Sequence, residues 1–236
     1  MKNKLSLVNF LILIGIVGYL FWDSSNNKIH KEIKAERISI VGPDGNLFIS
    51  ISNPQKQALA TQNGIQLVPD QKNRDLPGII FFNRVGDEVG SITFDGTDST
   101  SSQGITFDQL KNDQVMAIMK DEYYEGKELK RWYGMFLRER SDSIRREEYV
   151  KNAIAEINAI KDESKKQELL SYYNNKLNSE IDIFRMFLGR EENRDVGLFL
   201  YDSKGRERIK LFIDKDDNAQ IQIIDTNGNA KNLIDK

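Results

Sequence analysis

The chain has 236 residues, with 34 Lys or Arg against 36 Asp or Glu, so its net charge at pH 7 is −2. This balance argues against a nucleic-acid binder, which needs a basic face for phosphate contacts. The absence of Cys excludes disulfides, thiol nucleophiles and Cys-ligated metals, and the one His, His30, excludes sites built from two His of a single chain. The length suits one domain, with or without an insertion.

An uncharged, apolar run extends from Leu5 to Trp22, with the sequence LSLVNFLILIGIVGYLFW. As a helix it would span about 27 Å, close to the hydrocarbon thickness of a bilayer. The alternative is a cleaved signal peptide, but the run exceeds the usual apolar length and no small-residue cleavage site follows it. The sequence therefore predicts an uncleaved transmembrane helix over residues 1–22, acting as a signal anchor, and a polar juxtamembrane linker over 23–34 that contains His30.

Basic residues lie on both sides of this run. Lys2 and Lys4 nearly adjoin its start, whereas the basic residues beyond its end begin only at Lys28. The positive-inside rule counts Lys and Arg close to the span and gives acids little weight. We therefore predict a single-pass protein of the bacterial cytoplasmic membrane, with its body outside the cytoplasm. A body that faces the cytoplasm is the alternative.

The body, residues 35–236, repeats one pattern of alternating apolar residues on either side of a turn that contains Gly. The pattern is clearest at 37–53, 78–96 and 196–234. Period-two alternation places one face of a strand on a core and the other in water, and Asp and Gly at the turns close hairpins. The prediction is a mainly β fold of antiparallel hairpins or a meander. Sandwich, barrel and repeat-like architectures all remain open.

Residues 142–183 change to a helical period of apolar residues. The spacing of Ser164 and Gln167 is that of a capping box and predicts the start of a second helix there. We expect an αα-hairpin inserted between strands, which is either a contact for a protein partner or for self-association, or a peripheral addition without a binding role.

Three further segments carry weaker signals. Residues 54–77 and 96–104 read as loops because they are rich in polar and turn-forming residues. Residues 106–120 fit either a capped helical turn or a strand, and in the second case residues 125–127 form a hairpin turn.

Four sequence segments resemble a family of bacterial membrane-anchored β-hairpin proteins for which no activity is established. The segments are ERISIVGPDGNLFISISN (36–53), PGIIFFNRVGDEVGSITF (77–94), TFDQLKNDQV (106–115) and GLFLYDSKGRERIKLFID (197–214). They match the family patterns ERIxIVxPDG, IFFNxxGDE and TFDQxxxDQ and its late hairpins. The resemblance implies a bacterial, membrane-associated β protein and no catalytic residues.

One segment has the acidic spacing of a calcium loop. Asp214, Asp216 and Asn218 begin it, and Asp225 occupies its twelfth position. Against calcium, the sixth position is Ala219 rather than Gly, and strands rather than helices are predicted on both sides. A polar hairpin turn explains the same residues, so we expect no bound metal or other cofactor.

Two acidic segments could together supply a catalytic pair. Asp87 and Glu88 follow a turn glycine, and Asp108 and Asp113 lie in the segment 106–120 that fits either a capped helical turn or a strand. Glycosidases use two carboxyl groups at a defined separation, which a sequence cannot provide. Turn and cap roles explain Asp87 and Asp108 equally well.

Aromatic residues cluster around the predicted hairpin at residues 125–127. The candidate binding surface consists of Tyr123, Tyr124, Trp132 and Tyr133. Aromatic platforms bind sugars or peptides, but cross-strand aromatic pairs are also ordinary sheet packing. No phosphate-binding glycine loop is present in the sequence, and a Ser-His-Asp triad would have to use His30 in the linker.

Taken together, these features predict a membrane-anchored, non-enzymatic β-rich domain for binding or assembly in the bacterial envelope. A carboxylate-based hydrolase of envelope polymers is one alternative. A cytoplasm-facing membrane scaffold is the other.

Overall fold

The computed structural model describes residues 2–25, 32–62, 65–66, 71–72 and 74–234, and it divides into two compact units, Met1–Ala35 and Glu36–Lys236. The first unit contains helix α1, Lys2–Ser25. In the described part of the chain, no helix has the length and apolarity needed to cross a membrane. The membrane span predicted at Leu5 to Trp22 is therefore not supported and stays a prediction. His30 lies outside the described residues.

The second unit is a single open sheet of 12 strands, and each strand pairs antiparallel with the next one along the sheet. This confirms the prediction of a mainly β, antiparallel meander. The strands of the sheet are β1 Arg37–Val41, β2 Leu47–Ser52, β5 Gly78–Phe82, β6 Glu88–Gly96, β7 Thr100–Asp108, β8 Gln114–Glu125, β9 Glu128–Arg140, β10 Asp182–Arg190, β11 Val196–Tyr201, β12 Glu207–Ile213, β13 Ala219–Ile224 and β14 Ala230–Asn232. Strands β3 (Thr61–Gln62) and β4 (Ile65–Gln66) form a separate small hairpin.

Several hairpin turns use the predicted Asp and Gly chemistry, whereas Lys111, Arg194 and Asp217 have positive φ in three others. In the turn between β11 and β12, Gly205 has φ +69° and its amide donates to the Asp202 carbonyl oxygen at 3.0 Å. The Asp202 carboxylate also accepts from the Lys204 and Arg206 amides. Because each turn is closed locally, consecutive strands pair in sequence order, and the sheet grows as a meander.

The loop prediction for residues 96–104 needs correction. The Ser/Thr-rich residues 96–104 belong mostly to β6 and β7, and only residues 97–99 turn, closed by the Thr97 amide donating to the Thr100 carbonyl oxygen at 2.9 Å. Pairing of β7 with β8 from Thr100 onward extends the strand into this segment despite its loop-like composition. Residues 106–120 adopt the strand alternative, and Gly126 turns between β8 and β9.

Two helices interrupt the meander between β9 and β10, within the segment predicted for them. They are α2, Arg146–Ala159, and α3, Glu163–Lys176, and a short π-helical turn, Leu177–Ile181, follows them. The second helix starts earlier than the capping-box spacing predicted. Its N-cap is Asp162, whose carboxylate accepts from the Lys165 amide at 3.2 Å.

A buried carboxylate ties both ends of this helical insertion to the sheet. Asp182, the first residue of β10, accepts from Arg138 of β9 and from Arg146 of α2, each at 3.1 Å. Arg140 lies 3.3 Å from the same carboxylate and is itself buried. The insertion therefore enters and leaves the sheet at one ion cluster.

The core lies on one face of the sheet, which we call the covered face. Its central cross-strand row is almost entirely buried, and the residues from 53 to 62 pack over its N-terminal half, where Ser50 donates to Gln57 at 2.9 Å. The buried members of this row are Ser50, Ile80, Ser91, Ala117, Phe136, Phe187 and Phe199.

On the C-terminal half of the covered face, rings rather than a loop provide the cover. Gly134, Gly189 and Gly197 pair across three strands, and a Cβ at Gly189 would lie 2.6 Å from the Gly134 Cα. The Phe187 ring occupies the space above Gly134 and Gly189, and Phe212 lies against Gly197. Glycine is required here because any side chain would displace the ring and the neighbouring strand.

Candidate interaction surface

The opposite face of the sheet consists of two long ladders of apolar side chains, and we call it the aliphatic face. The first ladder takes one residue from each of eleven paired strands: Ile38, Ile51, Ile79, Ile92, Ile105, Ile118, Met135, Leu188, Leu198, Leu211 and Ile221. The second is Ile40, Ile49, Phe81, Gly90, Phe107, Met116, Leu137, Met186, Leu200, Ile209 and Ile223. Neither ladder contains a polar or charged side chain.

The aliphatic face is open in the single chain. Apart from Gly90, which has no side chain and is buried, no ladder residue is buried, and the most exposed residues of this face leave between 36% and 63% of their surface open to solvent. Alternation predicted the apolar positions correctly, but the expectation that they face a core is not met within the described residues. The buried row lies on the covered face and includes two serines, Ser50 and Ser91, beside apolar residues such as Ile80 and Phe199. An aliphatic sheet face left in water is unfavourable by the hydrophobic effect.

The size of this face sets it apart from ordinary surface patches. With strands about 4.8 Å apart and side chains on one face about 6.7 Å apart along a strand, the ladders and their neighbours cover roughly 50 Å by 15 to 20 Å, or about 700–1,000 Å². The largest apolar patch on a typical monomer is about 300–600 Å². A standard interface buries about 800 Å² on each partner. The aliphatic face is therefore as large as one side of a specific interface.

Charges lie at the margins of the aliphatic face rather than inside it. The long β8–β9 hairpin carries Lys120, Glu122 and Arg131 beyond the ladders, where Lys120 and Glu122 pair at 2.8 Å. At the other strand ends, Glu139 pairs with Arg185. This arrangement of an apolar centre and a charged rim is typical of protein interfaces.

The predicted aromatic surface is divided between the two faces of the sheet. Tyr123 and Trp132 lie on the covered face, where Trp132 packs against the core cluster and its ring centroid is 6.4 Å from that of Phe187. Tyr124 and Tyr133 lie on the opposite face and are exposed. Because successive residues of a strand point to opposite faces, four aromatic residues that are close in sequence do not form one platform.

The calcium-loop residues occupy two different turns. Asp214 closes the turn before β13, where its carboxylate accepts from the Asp216 and Asn218 amides at 3.0 and 2.9 Å. Asp225 closes the turn after β13 in the same way. The two carboxylates stand at opposite ends of a six-residue strand, about 20 Å apart, and so cannot share an ion. Within the described residues, no group of acids or His is arranged to hold a metal.

The four acids considered for catalysis do converge. Asp87, Glu88, Asp108 and Asp113 line one cavity of about 160 Å³ together with Arg74 and Arg145. Most of their charge is neutralised locally, because Glu88 accepts from Arg74 at 2.5 and 2.7 Å and Asp113 lies 3.3 Å from Arg140. One oxygen of Asp108 is buried without a hydrogen-bond partner among the described residues.

The proton affinity of Asp108 is strongly raised. Burial, followed by the nearby carboxylates of Glu88 and Asp113, raises its pKa to about 7. The guanidinium groups of Arg74 and Arg140 lower it by less. Asp108 therefore holds a proton to near neutral pH, which gives the cavity one acid and several carboxylates.

This shift predicts a pH-dependent effect of Asp108→Asn. Between about pH 4 and pH 7 the folded chain keeps a proton on Asp108 that the unfolded chain has released, so the stability contributed by this group falls as pH rises through that window. Because Asp108 is only half-buried, we expect the Asn variant to be more stable than the parent chain by about 1–2 kcal/mol at pH 8, with the difference vanishing below pH 4. Urea unfolding at the two pH values measures this. If the free energies of unfolding of the two proteins differ by the same amount at pH 4 and at pH 8, this result would contradict the raised pKa of Asp108.

Comparisons with known proteins return no family model, no curated protein and no solved structure that matches the chain. The resemblance inferred from the hairpin motifs therefore stays a prediction.

Proposed function

We propose that this chain is a membrane-anchored, non-enzymatic assembly protein of the bacterial envelope, and that its aliphatic face pairs with the aliphatic face of a second copy. The observation that carries the proposal is the open pair of ladders across eleven strands. In this proposal, residues 1–22 form the anchor and the helical insertion within 142–183 offers a second contact for a partner.

A second copy is the occupant that fits this face best. A partner must present an uncharged surface of similar length, since any charge placed against the ladders would lose its hydration without gaining a partner. The aliphatic face itself meets this condition. Two such faces related by a two-fold axis would pack as a sandwich about 10 Å thick, the usual arrangement of two stacked sheets. The area is that of a standard interface or larger.

Thiol labelling in the full chain tests this pairing, because the natural sequence contains no Cys. Ile118→Cys places a thiol on the aliphatic face, and Leu110→Cys places one in the exposed β7–β8 turn. At micromolar concentration we expect maleimide to react about tenfold more slowly at position 118, with the two rates converging on dilution. Equal rates at every concentration would contradict the proposal.

Membrane topology is a separate part of the proposal. Reporters fused after Lys236, active either only outside or only inside the cytoplasm, determine on which side the body lies. We expect the outside reporter to be active. Activity of the inside reporter would instead favour the cytoplasm-facing scaffold.

The convergent acids favour a second candidate, a carboxylate-based hydrolase of envelope polymers. Protonated Asp108 would act as the acid and an ionised neighbour as the base or nucleophile. The cavity of about 160 Å³ is smaller than the roughly 300–1,000 Å³ of typical ligand sites, which makes this candidate the weaker one. Release of reducing ends from envelope polysaccharide, lost in Asp108→Asn, would support it. A parent chain without such activity would exclude it.

A further inference from the structure

A cleft on the covered face is independent of the acid cavity and of the aliphatic face. It has a volume of about 480 Å³, within the range of small-molecule sites. Five aromatic rings contributed by β9, β10 and β11 line it, and the turn after β10 lies at its edge. The lining residues are Trp132, Phe136, Arg138, Phe184, Phe187, Glu191, Glu192, Asn193 and Tyr201.

Part of this cleft already holds a cation of the chain itself. The guanidinium carbon of Arg138 lies 5.2 Å from the Phe136 ring centroid and 5.1 Å from that of Phe184. Its charge is balanced by the buried Asp182 at 3.1 Å. These two rings are thus engaged in cation–π contacts, whereas Trp132 and Tyr201 line the remaining volume and are only half-buried.

Two carboxylates, those of Glu191 and Glu192, lie at the edge of the remaining volume and give it a negative charge, which Lys210 offsets in part through its electrostatic effect on Glu191. Glu191 is half-buried, and in the described part of the chain neither a hydrogen bond nor an ion pair reaches its carboxylate; burial raises its pKa. Glu192 accepts only from the neutral Tyr123 hydroxyl, at 3.1 Å. The nearby Lys210 is paired with Glu207 at 3.6 Å.

We propose that this cleft binds an organic cation with a quaternary ammonium head group. Ring faces attract cations most strongly when the cation has little water to lose. A primary ammonium is strongly hydrated and would have to exchange its water for hydrogen-bond acceptors, which the mainly aromatic lining offers at Glu191, Glu192, Asn193 and the Tyr201 hydroxyl. A quaternary ammonium donates no hydrogen bond, so rings and an adjacent carboxylate satisfy it fully.

Calorimetric titration of the full chain in a maltoside detergent, which carries no ammonium group, tests the inference. The probes are choline, its uncharged isostere 3,3-dimethylbutan-1-ol, and n-butylammonium. We expect choline to bind with a Kd of about 0.1–1 mM and both other probes to bind at least about tenfold more weakly. Equal binding of the uncharged isostere overturns the cation site. Equal or tighter binding of n-butylammonium overturns the quaternary assignment.

Variants separate the cleft from unspecific binding. Glu191→Gln removes the unpaired carboxylate and should weaken choline binding about fivefold, and Trp132→Leu should weaken it about tenfold. Glu125→Gln, a similar change at the exposed tip of the β8–β9 hairpin, should leave binding unchanged. If Trp132→Leu lowers the melting temperature sharply, its loss of choline binding could reflect unfolding. In that case the choline affinity of Glu191→Gln alone tests the proposal. Unchanged choline affinity in Glu191→Gln would contradict the proposal.

Discussion

Replacing Ile118 and Leu211 together by Lys should convert the assembled protein into single chains. The two residues lie on the first aliphatic ladder, at β8 and β12, and are 52% and 50% exposed in the single chain. In a two-fold assembly each substitution occurs twice, so four ammonium groups would have to be buried against aliphatic side chains. We expect the affinity of the assembly to fall more than about a thousandfold, equivalent to more than about 4 kcal/mol.

The same substitutions should leave the fold of the single chain intact, because both side chains already contact solvent there. Circular dichroism of the double variant should keep the strand signal of the parent chain. Leu110→Lys is the matched control, since Leu110 is 75% exposed in a turn away from the ladders. Its mass in solution should equal that of the parent. A double variant with the parent's mass and a normal strand signal would contradict the role of the aliphatic face.

Asp182→Ala should be the most destabilising single substitution among the ion pairs of the body. The Asp182 side chain is 6% exposed and contacts three guanidinium groups, and the side chain of one of them, Arg140, is 3% exposed. Removing the carboxylate takes away one of the two acidic partners that lie 3.3 Å from the buried Arg140, the other being Asp113, and releases α2 from the sheet. We expect the free energy of unfolding to fall by about 3–5 kcal/mol.

Urea unfolding of the full chain measures this loss, and Asp216→Ala provides the comparison. Asp216 pairs with Lys215 at 2.8 Å, but both side chains are more than half exposed. An exposed pair of this kind contributes about 0–1 kcal/mol, so the control should unfold almost like the parent. A loss of less than about 1 kcal/mol in Asp182→Ala would show that the cluster does not hold the insertion in place.

Local signals in the sequence predict most of the meander. Alternation and the Asp-Gly turns depend on neighbouring residues, and they place the apolar side chains on one face of each strand. The ion cluster at Asp182 could not be predicted this way, because its partners Arg138 and Arg146 are 44 and 36 residues distant. Tyr123 and Tyr124 are likewise adjacent in sequence, but their side chains point to opposite faces of the β8–β9 hairpin.

Besides alternation, the sequence contains a regular spacing of Ile residues that predicts part of the aliphatic face. Ile79, Ile92, Ile105 and Ile118 follow one another at intervals of thirteen residues. Equal strand-and-turn lengths bring such positions side by side, so the interval predicts one ladder across four strands. The interval does not predict whether the ladder is covered, because this depends on where the rest of the chain packs. Residues 53–62 pack on the opposite face of the sheet and leave the ladder open.

The mass of the full chain in detergent, from sedimentation or light scattering corrected for bound detergent, tests the central proposal most directly. Pairing of the aliphatic faces predicts a protein mass of twice the 27.2 kDa of one chain, which falls to that of one chain when Ile118 and Leu211 are both replaced by Lys. A single-chain mass for the parent at micromolar concentration, or an assembly that the two lysines leave unchanged, would contradict it.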